Sequence, residues 1–370
     1  MSDFIKAGWS EKQPWRGLFA LAITVILAFI ITAIFDIGKY TGIVGYYIMS
    51  CIGMFIVLGV YWKGRCLSLD LPQPFKGMLL LALAMLIGLV ICYGWISFLG
   101  QGMLHPYVTI HTIMSIITMF FLLFAFNFWP FNKLSLPAGG FLFIIAAYAI
   151  ALLLIQLYDF SVLSYPAGLN PSPVEAVPFY QEGGPLAALP APFGLFLWEH
   201  GITFALWAVS FLWSFALLGM WPFNQLKIQQ PLWGLIVTVV CLALSGIAFS
   251  IGVYLLKIEP LTFMSYGVSF VFGILLTFTL FQMWPGSSWG PVTGGFVNLA
   301  FSVIVAIVGY YSIRAFCLWH FGDAMVYPDS VLAINTMMLA VLFPLWAAYG
   351  DLFDFWPLPQ SSEPNSEPVS

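Results

Sequence analysis

The chain has 370 residues, 62% of them hydrophobic and only 7% charged, with a mean hydropathy of +0.99 and a formal net charge of −4. A soluble domain carries roughly 25% charged residues to keep its surface wet, so this composition excludes a water-soluble globular protein. There is no basic patch for nucleic acid, and the five cysteines (Cys51, Cys66, Cys92, Cys241 and Cys317) form no C-x-x-C pair, which argues against a disulfide framework.

Apolar runs of about 20 residues, the length of helix that crosses a hydrocarbon core, recur along the whole chain. They predict ten spans at 17–36, 41–62, 76–99, 105–128, 138–159, 196–220, 231–256, 261–283, 291–317 and 331–355. The alternating strands of an outer-membrane barrel are absent. The expected fold is all-α, a polytopic membrane helical bundle over 1–359, with a polar, disordered cytoplasmic tail at 360–370.

Span 1 follows Lys6, Lys12 and Arg16. Its apolar stretch is too long for a signal peptide and no small-residue cleavage site closes it, so it reads as an uncleaved helix. Span 2 ends at Tyr61-Trp62, and Pro74 to Gly77 opens span 3. A stronger form of this punctuation follows. Spans 4, 6, 8 and 10 end at Trp129-Pro130, Trp221-Pro222, Trp284-Pro285 and Trp356-Pro357. The first three are followed by Pro-x-x-Gly at Pro137 to Gly140, Pro231 to Gly234 and Pro291 to Gly294. Trp prefers the headgroup level, and Pro disfavours helix at the residue before it, so each helix is expected to end at its Trp. The second Pro suits the first turn of the next helix. The motif thus reads first as a stop-and-anchor device, and second as a docking face for a partner.

Spans 2–3, 4–5, 6–7 and 8–9 then form parallel two-helix repeats, with span 10 opening a fifth pair left incomplete and span 1 standing alone. The connection at 160–195 is long, Pro-dense and almost uncharged, and reads equally as an ordered cap or as a flexible linker. The side bearing the N-terminus and the Trp-Pro turns holds eight Lys and Arg (Lys6, Lys12, Arg16, Lys63, Arg65, Lys76, Lys133 and Lys227) against three (Lys39, Lys257 and Arg314) on the other. The excess predicts both termini in the cytoplasm of a plasma or bacterial inner membrane, with the 160–195 loop outside.

Chemistry is sparse. All four histidines fall near the opposite ends of the spans: His105 and His111 at span 4, His200 at span 6 and His320 after span 9. His200 lies 21 residues before Trp221, between His105 and His111, which lie 24 and 18 before Trp129. Each is thus about one helical turn (~5 Å) from its neighbour in depth. With Glu199 and Asp323 nearby, His105, His111, His200 and His320 make a candidate metal site, of a donor set suited to zinc, copper or non-haem iron. Two facing histidines also suit haem. No H-E-x-x-H or other tight signature accompanies them. Interfacial residues without chemistry are the competing reading. Mid-span positions carry hydroxyls and amides such as Ser210, Thr277, Asn298 and Asn335, and no obvious carboxylate, which argues against an ion-coupled pump. The sequence leaves three functions: a membrane redox or metal-dependent protein with a site at the extracytoplasmic side, a permease for a neutral or apolar solute, and a scaffold subunit of a membrane complex. The first is favoured by the His and carboxylate constellation. Expected partners are the lipid bilayer and other membrane proteins or further copies of the chain, with no nucleic acid.

Overall fold

The computed structural model describes residues 12–62, 71–166, 174–178, 180, 182, 184, 186–189, 191–327 and 329–358. The tail at 360–370 lies outside them. Among the described residues, ten helices are long and apolar enough to cross a membrane. They are α1 (Trp15–Ala33), α2 (Ile37–Tyr61), α3 (Phe75–Phe98), α4 (Pro106–Ala125), α5 (Leu136–Leu157), α6 (Trp198–Leu217), α7 (Leu232–Leu255), α8 (Pro260–Thr279), α9 (Pro291–Ala324) and α10 (Asp329–Leu352). In lipid each unsatisfied backbone group costs several kcal/mol, so helices that close their own hydrogen bonds are the spanning elements. The chain is a multi-pass membrane protein.

The helices form two concentric layers. The inner layer is a closed ring of the even-numbered helices, in which α2 packs on α4, α4 on α6, α6 on α8, α8 on α10 and α10 back on α2. The odd-numbered helices lie outside. Helices α3, α5, α7 and α9 each pack against the even helix before them in the chain, and α1 packs on α10. Pro344 lacks an N–H and obstructs the carbonyl of the preceding turn. The turns before it in α10, Thr336–Leu342, are wound as π-helix.

Helix α1 does not stand alone, as the sequence suggested. Its Thr24 hydroxyl accepts from the Trp346 indole at 3.1 Å, and Thr32 meets Met337. Its start also carries a Pro-x-x-Gly, Pro14 to Gly17, preceded by Gln13. The Gln13 side chain accepts from Gly17 N–H (3.2 Å) and donates to the Leu280 carbonyl at the end of α8 (2.9 Å). Gln73 does the same between Gly77 and Leu352, and Gln230 between Gly234 and Ala125. Each Gln therefore ties the start of an odd helix to the end of an even one. At α5 the Trp62 indole donates to the Leu136 carbonyl instead (2.7 Å), and at the α8–α9 turn Asn298 bridges Met283 and Gly286.

The even helices also end differently from expectation. They stop short of the Trp, at Ala125, Leu217, Thr279 and Leu352. The two residues before each Trp turn left-handed: Asn127 and Phe128, Gly219 and Met220, Gln282 and Met283, Asp354 and Phe355. That conformation costs roughly 1–2 kcal/mol per non-glycine residue. It is offset by bonds from Phe128, Met220, Met283 and Phe355 N–H to the carbonyls of Leu122, Phe215, Thr277 and Tyr349 at 2.7–3.0 Å, which satisfy helix-end acceptors otherwise left bare. The Trp-Pro peptide follows this reversal.

The other end is less regular. Between α5 and α6 the chain forms short strands: β1 (Tyr158–Asp159) pairs parallel with β4 (Phe196–Leu197), and β2 (Val162–Pro166) antiparallel with β3 (Val174–Pro178). This is the cap over the inner ring.

Candidate functional site

Inside the ring lies a cavity of about 400 Å³, lined by residues of all five even helices. Its wall is mainly Ile, Leu, Val, Met and Phe, and no Asp, Glu, Lys or Arg lines it. All even helices run from the cap end towards the Trp-Pro end, so position along them reports depth. The deepest lining residues are Phe120, Val209, Leu275 and Phe343. One turn further on, aromatic rings cluster. Trp213 lies 4.5 Å from Phe124, 5.1 Å from Phe120 and 5.6 Å from Phe278, centroid to centroid.

The cap closes the opposite end. Phe160 is fully buried and stacks on Trp198 at 6.1 Å, with the planes 1° apart. Tyr180, also buried, meets Phe160 edge-on. Its hydroxyl accepts from Tyr107 N–H at 3.0 Å and pairs with His105 Nδ1 at 2.5 Å. Tyr180 thus latches the cap to the first turn of α4. Burial holds the His105 imidazole below its ordinary pKa, an effect the Leu99 carbonyl partly offsets. It likewise raises the Tyr180 phenol above its usual range. Both groups are therefore neutral near pH 7.

The six residues expected to hold a metal are dispersed. His105 is in the Tyr180 latch and lines the cavity mouth. His111 is fully buried and turns away, with its Nε2–H donating to the Tyr148 carbonyl on α5 (3.1 Å) and its ring edge-on to Trp95 of α3 (4.3 Å). His200 packs on Phe249 of α7. His320 is 3.3 Å from the Phe35 carbonyl at the α1–α2 junction and stacks on Phe316. Glu199 is buried and Asp323 is exposed. Among the described residues, no group of three or more His, Cys, Asp and Glu side chains is arranged to hold a metal ion. The reason is angular. Depth alone suggested convergence, but residues six apart on a helix turn through about 600°, leaving them roughly 120° apart in direction. His105 and His111 therefore face different neighbours. Glu259, another carboxylate at this end, caps α8 by accepting from Leu261 and Thr262 N–H, and also accepts from the Tyr327 hydroxyl.

Two further hollows flank the ring. A groove of about 850 Å³ runs along α4–α7, from Tyr158 and His200 at the cap end to Trp129 and Pro130 at the other. Its lining is almost wholly apolar and includes outer helices, so bilayer lipid is its natural neighbour. A hollow of about 870 Å³ lies at the Trp-Pro end, among Tyr61, Asn127, Asn132, Gln230 and Trp233. Sequence reasoning missed the parts played by Tyr180 and Trp198. No motif marks either, because the contacts join segments distant in the chain. Comparison with protein-family models, with curated proteins and with solved structures finds no match to this chain.

Proposed function

We propose that the protein is a permease or carrier for a neutral, largely apolar solute, which it takes up in the ring of even-numbered helices. The observation that carries this reading is the uncharged cavity, built by all five even helices, with Phe160 and Trp198 stacked at one end and the rings around Trp213 clustered at the other. A concave, mostly apolar site with a few polar groups is the usual form of a small-molecule site. A wall without charge offers no counter-ion, so the bound species is neutral. The excess of Lys and Arg beside the Trp-Pro turns supports placing those turns and both termini in the cytoplasm of a plasma or bacterial inner membrane, with the cap outside. The recurring Gln and Trp contacts support reading the chain as repeated helix pairs, with α1 completing the pair that α10 opens.

Binding tests the reading. Dimethylnaphthoquinone, a neutral bicyclic probe, is dialysed to equilibrium against the purified full-length protein. Saturable binding is expected in the wild type and a loss of about tenfold or more in Ile113→Trp, which fills the cavity. Binding that is absent, or equal in both proteins, rejects the reading.

A further inference from the structure

The cavity inside the ring and the groove along α4–α7 share a wall. On α4 the cavity takes Ile113 and Phe120, and the groove takes Met114 and Phe121. At about 100° per residue the two pairs lie roughly 100° apart round the helix. Ile117 falls midway between them and lines both spaces. On α6 the cavity takes Leu206 and Val209, and the groove takes Ala205 and Ala208. These pairs are also roughly 100° apart, but in the opposite rotational sense. Both helices run from the cap end, so opposite senses place the groove over the one seam between them. Ile117 stands twelve residues before Trp129 and Ala208 thirteen before Trp221, which puts them at nearly the same depth. The alanines bring little reach to the seam, so Ile117 is the long side chain that separates the two spaces.

That seam is held differently from the other four of the ring. Thr112 of α4 donates to the Tyr46 hydroxyl of α2 at 3.2 Å. Thr203 and Trp207 of α6 donate to the Pro260 and Phe263 carbonyls of α8 at 2.9 and 3.2 Å. Ser265 of α8 donates to Asn335 of α10 at 3.0 Å, and Tyr40 of α2 to the Met337 sulfur of α10 at 3.2 Å. Among the described residues, no hydrogen bond joins α4 to α6, whose ring contacts are those of Trp213 with Phe120 and Phe124, deeper than Ile117. Interhelical hydrogen bonds and close packing are what hold helices together in lipid. The α4–α6 seam therefore parts with the least lost, and it is the seam with an apolar groove already outside it.

We propose that the solute enters and leaves the cavity sideways through the bilayer, lodging first in the groove along α4–α7 and passing between α4 and α6 at Ile117. This rests on the carrier reading and adds the route to it. A neutral apolar solute concentrates in hydrocarbon rather than in water, and the groove is where the hydrocarbon reaches nearest to the cavity wall.

The test separates rate from affinity. Full-length protein in lipid nanodiscs is mixed with dimethylnaphthoquinone, and binding and release are followed by stopped-flow quenching of tryptophan fluorescence. Leu242→Trp fills the groove from the outer helix α7, where Leu242 is 40% exposed, and Ala208→Phe fills it from α6. Each is expected to slow association and release alike, by about tenfold, with the Kd within about twofold of wild type. Ile117→Ala should speed both rates by about threefold or more. Wild-type rates in Leu242→Trp overturn the inference: the groove then holds lipid only, and the carrier reading stands on the saturable binding that Ile113→Trp removes. Slowed association with unchanged release in Leu242→Trp also overturns it, because an obstructed route slows entry and exit equally. Unchanged rates in Ile117→Ala overturn the passage at that residue. Absence of saturable binding in the wild type overturns the carrier reading and this inference together.

Discussion

The even and odd helices differ in a way that inverts the rule for soluble proteins. In their most apolar stretches the even helices are 67–78% buried, whereas the odd helices are only 22–44% buried. Yet the buried helices are the more polar ones. Helix α6 carries Thr203, Ser210 and Ser214 on buried faces, and α8 carries Ser265, Ser269 and Thr277. These hydroxyls join neighbours: Thr203 donates to the Pro260 carbonyl at 2.9 Å, and Thr277 pairs with Ser302 at 2.8 Å. The odd helices present Val90, Leu153, Leu255 and Ile304 outward. Lipid is as apolar as leucine, so no hydrophobic force drives these helices together. Close packing and interhelical hydrogen bonds do so instead. Polarity inside and apolarity outside are what a ring in a bilayer requires, and a cavity whose wall carries no Asp, Glu, Lys or Arg has room for a neutral guest.

The largest effect should come from a close backbone contact that seats an outer helix on the ring. A Cβ at Gly273 of α8 would lie 2.1 Å from the Ser302 backbone oxygen of α9, while one at Gly94 of α3 meets nothing within 4 Å. Gly273→Ala should cost about 3 kcal/mol or more, because backbone cannot give way as a side chain can. Gly94→Ala should be neutral or stabilise by about 0.5–1 kcal/mol through helix propensity. Thermal unfolding of the full chain in detergent compares the two. Equal effects would break the distinction between the layers.

Severing an odd helix from the ring comes next. Gln73→Leu removes the bonds to Gly77 and Leu352 and should cost about 1–3 kcal/mol. Gln13→Leu and Gln230→Leu should cost similar amounts, and denaturant titration that finds only one of the three sensitive would argue against a common role. The cap should respond more locally. Tyr180→Phe loses the His105 and Tyr107 contacts and should raise hydrogen exchange around α4's first turn by about tenfold, a loss of about 1.4 kcal/mol, with bundle unfolding little changed. Exchange unaltered there would mean the hydroxyl is not a latch.

Acid should loosen the same latch. Burial lowers the His105 pKa below 6.5 in the closed form. The open form, with an ordinary imidazole, therefore takes up a proton first as pH falls through about 6.5, and closure weakens below it. Raising the pH above that range restores the latch and adds nothing more. The check is exchange at Tyr107 between about pH 7.5 and about pH 5.5. A His105→Gln variant should abolish the dependence, and dependence retained in it would assign the titration elsewhere. The smallest effect belongs to the lipid face, where Val90→Ala on α3 should change stability by less than about 0.5 kcal/mol. A larger loss would mean that this face is covered by something other than lipid.

The ten helices were legible because each apolar run matches a membrane crossing in length, but their ends were not, since the even helices stop before the Trp, at Ala125, Leu217, Thr279 and Leu352. The tie of α1 to the ring was missed, although Gln-Pro-x-x-Gly stands at 13–17 as well as at 73–77 and 230–234. The left-handed reversal before each Trp was not legible, because Asn127-Phe128 and Gln282-Met283 share no residue type that requires it. For the histidines, sequence gave depth without direction around the helix, and direction decides whether imidazoles meet. The cavity was hidden for a related reason. Ile113 and Leu275 look like any packed core residue, and only the spacing of five helices leaves the gap between them.

Photolabelling asks most directly whether the inner ring is where a guest resides. A diazirine derivative of dimethylnaphthoquinone, bound to the purified full-length protein and illuminated, should attach to residues of the even helices that line the cavity, such as Ile113, Val209 and Leu275. Excess unlabelled quinone should remove those adducts. Adducts confined to lipid-facing residues of the odd helices, such as Val90 and Ile304, or adducts that excess quinone does not compete away, would contradict the account.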